Sequence, residues 1–229
     1  MANILLIHGA YCGGWAWKFV SAEMRAAGHH VLAPTLEGCA ERASELRPGI
    51  TTETHAAELA GLLFHEDLRD VVLVGTSTGG MVMCRVAELA RDRVSRLVFA
   101  DALALRDSEK LSDILARPTA VNTALTTGPS REDAANRLFA DMEPGLRDWT
   151  LARITQHPIA AMAAPVSLPS FWQTPWPNTR VIYCRRSTNP PVAHQRRIAD
   201  ALGASWMELD TGHYPFLTEP KALARMIAG

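Results

Sequence analysis

The chain has 229 residues, with 23 Lys plus Arg against 24 Asp plus Glu, a net charge of −1 and 48% hydrophobic residues. That balance, without a basic stripe, argues against a nucleic-acid binder, and the length suits one globular domain carrying an insert. The four cysteines, Cys12, Cys39, Cys84 and Cys184, are scattered without a CxxC pair, which points to neither a zinc site nor a disulfide framework.

The opening stretch, MANILLIHGA, lacks a charged n-region and has too short an apolar run for a leader. No later run approaches the ~20 apolar residues of a spanning helix, so a cytoplasmic protein is expected, without membrane association. Short apolar runs then alternate with longer amphipathic ones. Strands are expected at Asn3–His8, His30–Ala33, Val71–Gly75, Arg96–Asp101, Arg180–Cys184 and Ser205–Leu209. Helices are expected at Ala16–Ala27, Thr52–Phe64, Gly79–Arg91, Pro191–Leu202 and Glu219–Ala228. Gly28 suits the C′ position of the first helix, and Thr51 or Thr52 can cap the second. Continuously apolar strands, each separated by a helix, describe a parallel sheet covered on both faces. The expected fold class is therefore α/β: a doubly wound, six-stranded, mostly parallel sheet with helices on both faces.

The rhythm breaks in the middle. Helical pieces (Ser108–Ala116, Arg131–Phe139, Leu146–Thr155) sit among Pro118, Pro129, Pro144 and Pro158, and no strand is readable there. A proline-rich aromatic stretch with Phe171, Trp172 and Trp176 follows. Because the sheet pattern resumes afterwards, residues 103–177 read as an inserted helical cap on a core formed by residues 1–102 and 178–229.

Within that order one serine stands out. Val71 to Gly80 reads VVLVGTSTGG, a G-x-S-x-G turn with a buried strand leading in and a helix leading out. This context lifts the Ser77 hydroxyl above the sheet edge at a helix N-terminus, where unpaired N–H groups favour developing negative charge. The alternative for Ser77 is a plain helix cap. Of eight histidines, His213 lies in a loop after the last strand and before the last helix, where open parallel sheets build their sites. His55 and His65 read as solvated helix positions, and no histidine has ligand spacing, so no metal is expected. Oxyanion donors are expected from the backbone N–H groups of Thr78, directly after the serine, and of Ala10, in the glycine-rich loop after the first strand. No Cys–His spacing supports Cys12 as a competing nucleophile.

The HGA-x-x-x-G-W start, the G-x-S-x-G turn, "LVFADALAL", "VIYCRR…PPVAHQRR" and "TGHYPFLTEP" together resemble the α/β-hydrolase superfamily. The likeness is nearest to the branch of plant methylesterases, hydroxynitrile lyases and small bacterial esterases, and it covers nearly the whole chain. It implies a cap over the site, Ser77 as nucleophile, His213 as base, and Ala10 and Thr78 as oxyanion donors. Lyases of that branch carry Thr after the first-strand histidine and Lys after the catalytic histidine. Gly9 and Tyr214 stand there in this chain, which favours ester hydrolysis. The family's acid falls eight residues before Gln195, and that position is Ser187. No Asp or Glu lies between Tyr183 and Ile198. Asp101, at the end of the strand after the helix that follows Ser77, is the candidate replacement, since some α/β hydrolases put the acid there. Its competing reading is a structural Asp that esterases of this branch often carry.

The sequence thus leads to a serine esterase for a small hydrophobic or aromatic ester, using no cofactor. Tyr11, Trp172, Trp176 and Tyr214 are the candidate pocket lining. The expected partner is a small-molecule ester, with a homodimer as the alternative to a monomer. A lactonase, thioesterase, lyase or cyclase on the same scaffold, or a ligand-binding pseudo-enzyme, are the alternatives.

Overall fold

The computed structural model describes residues 1–115 and 125–229; Ala116 and Pro118 of the expected cap lie outside them. Eight strands are present among these residues: β1 (Asn3–Ile7), β2 (His30–Leu32), β3 (Val71–Ser77), β4 (Val94–Ala102), β5 (Thr126–Thr127), β6 (His157–Pro158), β7 (Arg180–Cys184) and β8 (Ser205–Leu209). Six of them form one sheet in the order β2-β1-β3-β4-β7-β8, and every neighbouring pair in it is parallel. The sheet is doubly wound, as the alternation of apolar runs requires.

Helices α1 (Lys18–Ala26), α2 (Thr52–His65) and α3 (Gly79–Leu89) intervene between the first four strands. Thr51 caps α2: its hydroxyl accepts from Thr54 N–H, and Thr51 N–H donates to the Thr54 hydroxyl. Between β4 and β7 lie the short α4 (Leu111–Ile114), α5 (Arg131–Asp133, continued by a π turn over Ala134–Leu138), α6 (Pro144–Leu151) and α7 (Ala160–Ala163). Helices α8 (Val192–Leu202), α9 (Pro215–Thr218) and α10 (Pro220–Ala228) complete the chain.

Strand side chains alternate between two apolar layers. Leu73, Leu97, Phe99 and Val181 join Ala56, Leu59 and Val86 of α2 and α3 and Ile198 of α8 on one face. On the other, Val72, Val74, Val98 and Ile182 join Val20 and Met24 of α1 and Leu223 and Ile227 of α10. Both faces are therefore buried, which leaves the carboxyl ends of β3, β4 and β8 as the open edge for a site.

The segment between β4 and β7 departs from expectation in two ways. A two-residue antiparallel ladder joins β5 to β6, too short to leave a period-two pattern. The helix expected over Ser108–Ala116 is a single turn at Leu111–Ile114, entered through a capping bond from Lys110 N–H to Asp113 Oδ2 at 2.8 Å. Among the described residues no helix is long and apolar enough to cross a membrane.

Candidate active site

β3 is buried from Val71 to Thr76 and ends at Ser77, whose φ of +50° lies in the left-handed region. A non-glycine residue there is strained by an amount on the order of 1–3 kcal/mol, and the surrounding packing holds it. α3 begins immediately, with Thr78 at its cap position. A Cβ on Gly79 would come within 2.5 Å of the His8 carbonyl oxygen, so only glycine lets the turn seat against the end of β1. The first-turn N–H groups of α3 have no intrahelical acceptors and face the end where charge would develop.

The end of β4 is shaped by a different device. Thr76 pairs with Ala100, and the next residue, Ser77, pairs with Ala102. Asp101 is the extra residue of a bulge, and its φ is +49°. Regular alternation would send Asp101 to the layer that holds Leu97 and Phe99. The bulge re-aims it, toward the end of β7 and the loop after β8. There its carboxylate is fully buried, with Oδ2 2.6 Å from His213 Nδ1 and Oδ1 2.7 Å from Gln195 Nε2. The Cys184 backbone N–H lies 3.5 Å from Oδ1. A carboxylate at Nδ1 requires that nitrogen to carry the proton, which leaves Nε2 of His213 as the basic atom. The expected juxtaposition of Asp101 with His213 is therefore present.

Ser77, Thr78, Ala10, Tyr11, His213 and Tyr214 line one cavity of about 150 Å³. Leu111, Leu115, Leu138 and Met162 line it from the inserted segment, and Arg137 adds a cation at its mouth. An outer chamber of about 570 Å³ shares Arg137, Asn189 and His213 with it and reaches Ser187 and Arg186. Ser187, the usual acid position, bonds only locally, its hydroxyl donating to the Asn189 carbonyl at 3.1 Å. Cys12 also lines the cavity, but burial pushes its thiol up to about 12, so it stays protonated and unreactive near neutrality.

Two expected pocket residues lie elsewhere. Trp172 and Trp176 do not line either chamber. Trp176 is buried against the α2–α3 layer, donates to the Phe171 carbonyl at 2.9 Å, and carries Arg91 over its ring. Trp172 donates to the Leu105 carbonyl at 3.0 Å beneath Arg106. Both satisfy their N–H and their π faces within the protein, so they fasten the inserted segment to the core. Trp149 likewise packs on Trp15 and Phe19. His55, expected in solvent, is 1% exposed and donates to the Glu37 carbonyl. It faces His157, whose Nδ1 lies 3.4 Å from Cys39 Sγ. Sequence reasoning used Gln195 only as a counting mark and missed its bond to Asp101. Arg137, Leu138 and Met162 carried no signal that could have found them.

A model of the Alpha/beta hydrolase family matches residues 4–226. The chain is 34% identical over 180 residues to a carbendazim hydrolyzing esterase from Nocardioides sp. (strain SG-4G), covering 73% of this chain and 74% of that protein. It is 28% identical over 144 residues to Methylesterase 3 of Arabidopsis thaliana, covering 62% of this chain and 52% of that one. Among solved structures, an extracellular alpha/beta-hydrolase from a Paenibacillus species superposes with a TM-score of 0.87 at 21% identity, over 100% of this chain and 98% of that one.

Proposed function

The chain belongs to the alpha/beta hydrolase family and is a carboxylic ester hydrolase; from that premise we propose that it cleaves a small, largely apolar ester through an acyl-enzyme on Ser77. The observation that carries this reading is the line from Asp101 Oδ2 through His213 Nδ1, at 2.6 Å, into the cavity that Ser77 also lines.

In the proposed reaction the Ser77 hydroxyl adds to the ester carbonyl while His213 Nε2 takes its proton. The buried Asp101 carboxylate stabilises the imidazolium. The N–H groups of Ala10 and Thr78 receive the carbonyl oxygen as it becomes an oxyanion. Collapse of the tetrahedral adduct breaks the C–O bond, and the imidazolium proton leaves with the alcohol. Water then attacks the acyl-enzyme with His213 again as base, releasing the acid and restoring Ser77.

The inserted segment 103–177 acts as the cap in this reading. The five apolar residues it contributes to a cavity of about 150 Å³, Leu103, Leu111, Leu115, Leu138 and Met162, favour a compact apolar or aromatic substrate. Two of the relatives are named as an esterase and a methylesterase, which supports a short alcohol such as methanol as leaving group. Lyase chemistry is disfavoured by the backbone. A Cβ at Gly9 would lie 2.7 Å from Ser77 Cβ, leaving no room here for the threonine of the lyases.

The reading is tested with a fluorophosphonate probe and a panel of methyl, ethyl and p-nitrophenyl esters of small aromatic and aliphatic acids. The expected results are a covalent adduct on Ser77, turnover of the activated p-nitrophenyl esters, and turnover that falls from methyl to ethyl esters of one acid. Absence of adduct and turnover from folded protein would instead mean a ligand-binding pseudo-enzyme.

A further inference from the structure

We propose that Gln195 is a positioning residue that makes Asp101 competent as the acid; this rests on the reading of Ser77, His213 and Asp101 given above. Gln195 lies at the end of the first turn of α8, and α8 packs on β7, the strand beside β4. Its side chain is fully buried at the carboxyl edge of the sheet.

The two hydrogens of its amide go to two acceptors: Asp101 Oδ1 at 2.7 Å and the Pro190 carbonyl at 3.2 Å. Two acceptors on one side fix the amide orientation, because the flipped form would set oxygen against oxygen. Among the described residues the buried amide oxygen has no partner. A buried unpaired acceptor lowers stability, and Leu or Met would fill the same space without that loss. Packing therefore gives no reason for an amide here, whereas its donor gives one.

Asp101 needs that donor. His213 occupies Oδ2, and among the described residues the only other donor near Oδ1 is Cys184 N–H at 3.5 Å. A buried carboxylate with a bare oxygen is pushed toward the protonated form or toward another rotamer. Either outcome removes the negative charge that the imidazolium requires. An acid on the loop after β7 would draw its donors from that loop. An acid aimed from a β4 bulge lies inside the sheet edge, and the amide of α8 is what meets it there. The other titratable groups around the pair are few. Cys184 on β7 is held as the neutral thiol by burial and by Asp101's charge. The exposed Asp141 lies outward against Gly212. On α8, His194 accepts from Ala104 N–H, and Arg197 pairs with Glu109.

Three variants of the full chain test this: Gln195→Leu, Gln195→Met and Gln195→Glu. Loss of a hydrogen bond to a charged group corresponds to roughly 10- to 100-fold. Leu and Met are expected to lower kcat by that factor with KM within a few-fold, and to lower the melting temperature, because Asp101 Oδ1 and the Pro190 carbonyl lose a buried donor. Glu is expected to keep most activity near neutral pH, where one proton shared by the two carboxyls lets Glu donate in place of the amide. It should then lose activity at alkaline pH through an ionisation absent from the parent. The His213 Nδ1 proton, read by NMR without substrate, should be sharp and downfield in the parent and in Gln195→Glu at neutral pH, and broadened by exchange in the Leu variant. Parental kcat, pH profile and Nδ1 signal in both Leu and Met would overturn the proposal. If Leu does not fold, Met and Glu decide it. If the parent turns over no ester, the Nδ1 proton still decides the role of Gln195, while the esterase reading fails by itself.

Discussion

The floor and the roof of the cavity are built by opposite means. The floor is made of strand ends: Ser77 and Asp101 both sit at left-handed φ in the last two residues of neighbouring strands whose register is fixed by the sheet. The roof is made of short helices and a two-residue ladder, tied to the core where Trp176 lies under Arg91. A parallel sheet closed on both faces allows its strand ends little movement, so it can hold strained residues in reacting positions. Short helices joined by side-chain contacts can be exchanged for others without disturbing that register. In the proposed reaction the chemistry belongs to the floor and the substrate's shape to the roof.

The sharpest way to break the comparison is at the floor. Ser77→Ala is expected to keep the fold and to lower ester turnover by on the order of 10⁶, because nucleophile and base act as a unit. Residual activity of a tenth would move the nucleophile elsewhere. Asp101→Asn keeps the volume and the bulge but removes the charge, so kcat should fall by about 10²- to 10⁴-fold, with the melting temperature close to the parent. An Asn variant within a few-fold of the parent would return Asp101 to a structural role.

The roof should answer differently. Trp176→Ala empties a buried site and strips Arg91 of its ring, so a loss of about 3–5 kcal/mol in stability is expected. Preference among ester chain lengths should stay unchanged in whatever folded protein remains. A changed preference at unchanged melting temperature would put the tryptophan back at the pocket.

The seam between floor and roof should yield to acid. His8 follows β1, accepts from Leu36 N–H, and is held at a pKa of about 4 by burial. His157 of β6 and His55 of α2 are lowered for the same reason. The folded state prefers these rings neutral, while the unfolded chain protonates them below about 6.5. Stability is therefore complete above that pH and declines as the pH falls from 6.5 toward 4, by on the order of 3 kcal/mol for His8 alone. Denaturant midpoints at pH 7 and pH 4.5 measure it, and equal midpoints would show that the rings are already solvated.

Legibility in the sequence followed the same division. Strand and helix order could be read because buried parallel strands are continuously apolar and their helices are long. Ser77 was visible because its turn needs glycines at fixed spacing, and His213 because it follows the last strand. Asp101 was reached by elimination, since a one-residue bulge adds no motif to "LVFADALAL". The tryptophans were misjudged because their partners, Arg91, Arg106, Leu105 and α3, lie some 65–85 residues away in the chain. Aromatic residues in a proline-rich segment look unpartnered until the fold supplies the other side. His55 failed for the same reason: the carbonyl that binds it belongs to a loop with no readable period.

The bulge on β4 also bears on how such an enzyme can change over generations. An acid carried on a surface loop ties that loop's length and composition to catalysis. Here the acid is set by the count of residues in an interior strand, and insertions or deletions there would disturb the sheet itself. The stretch from Arg186 to Asn189, which carries no carboxylate, supplies wall to the outer chamber instead. In the proposed reaction, substitutions in that stretch would retune which molecules reach His213 without touching the Asp101–His213 pair.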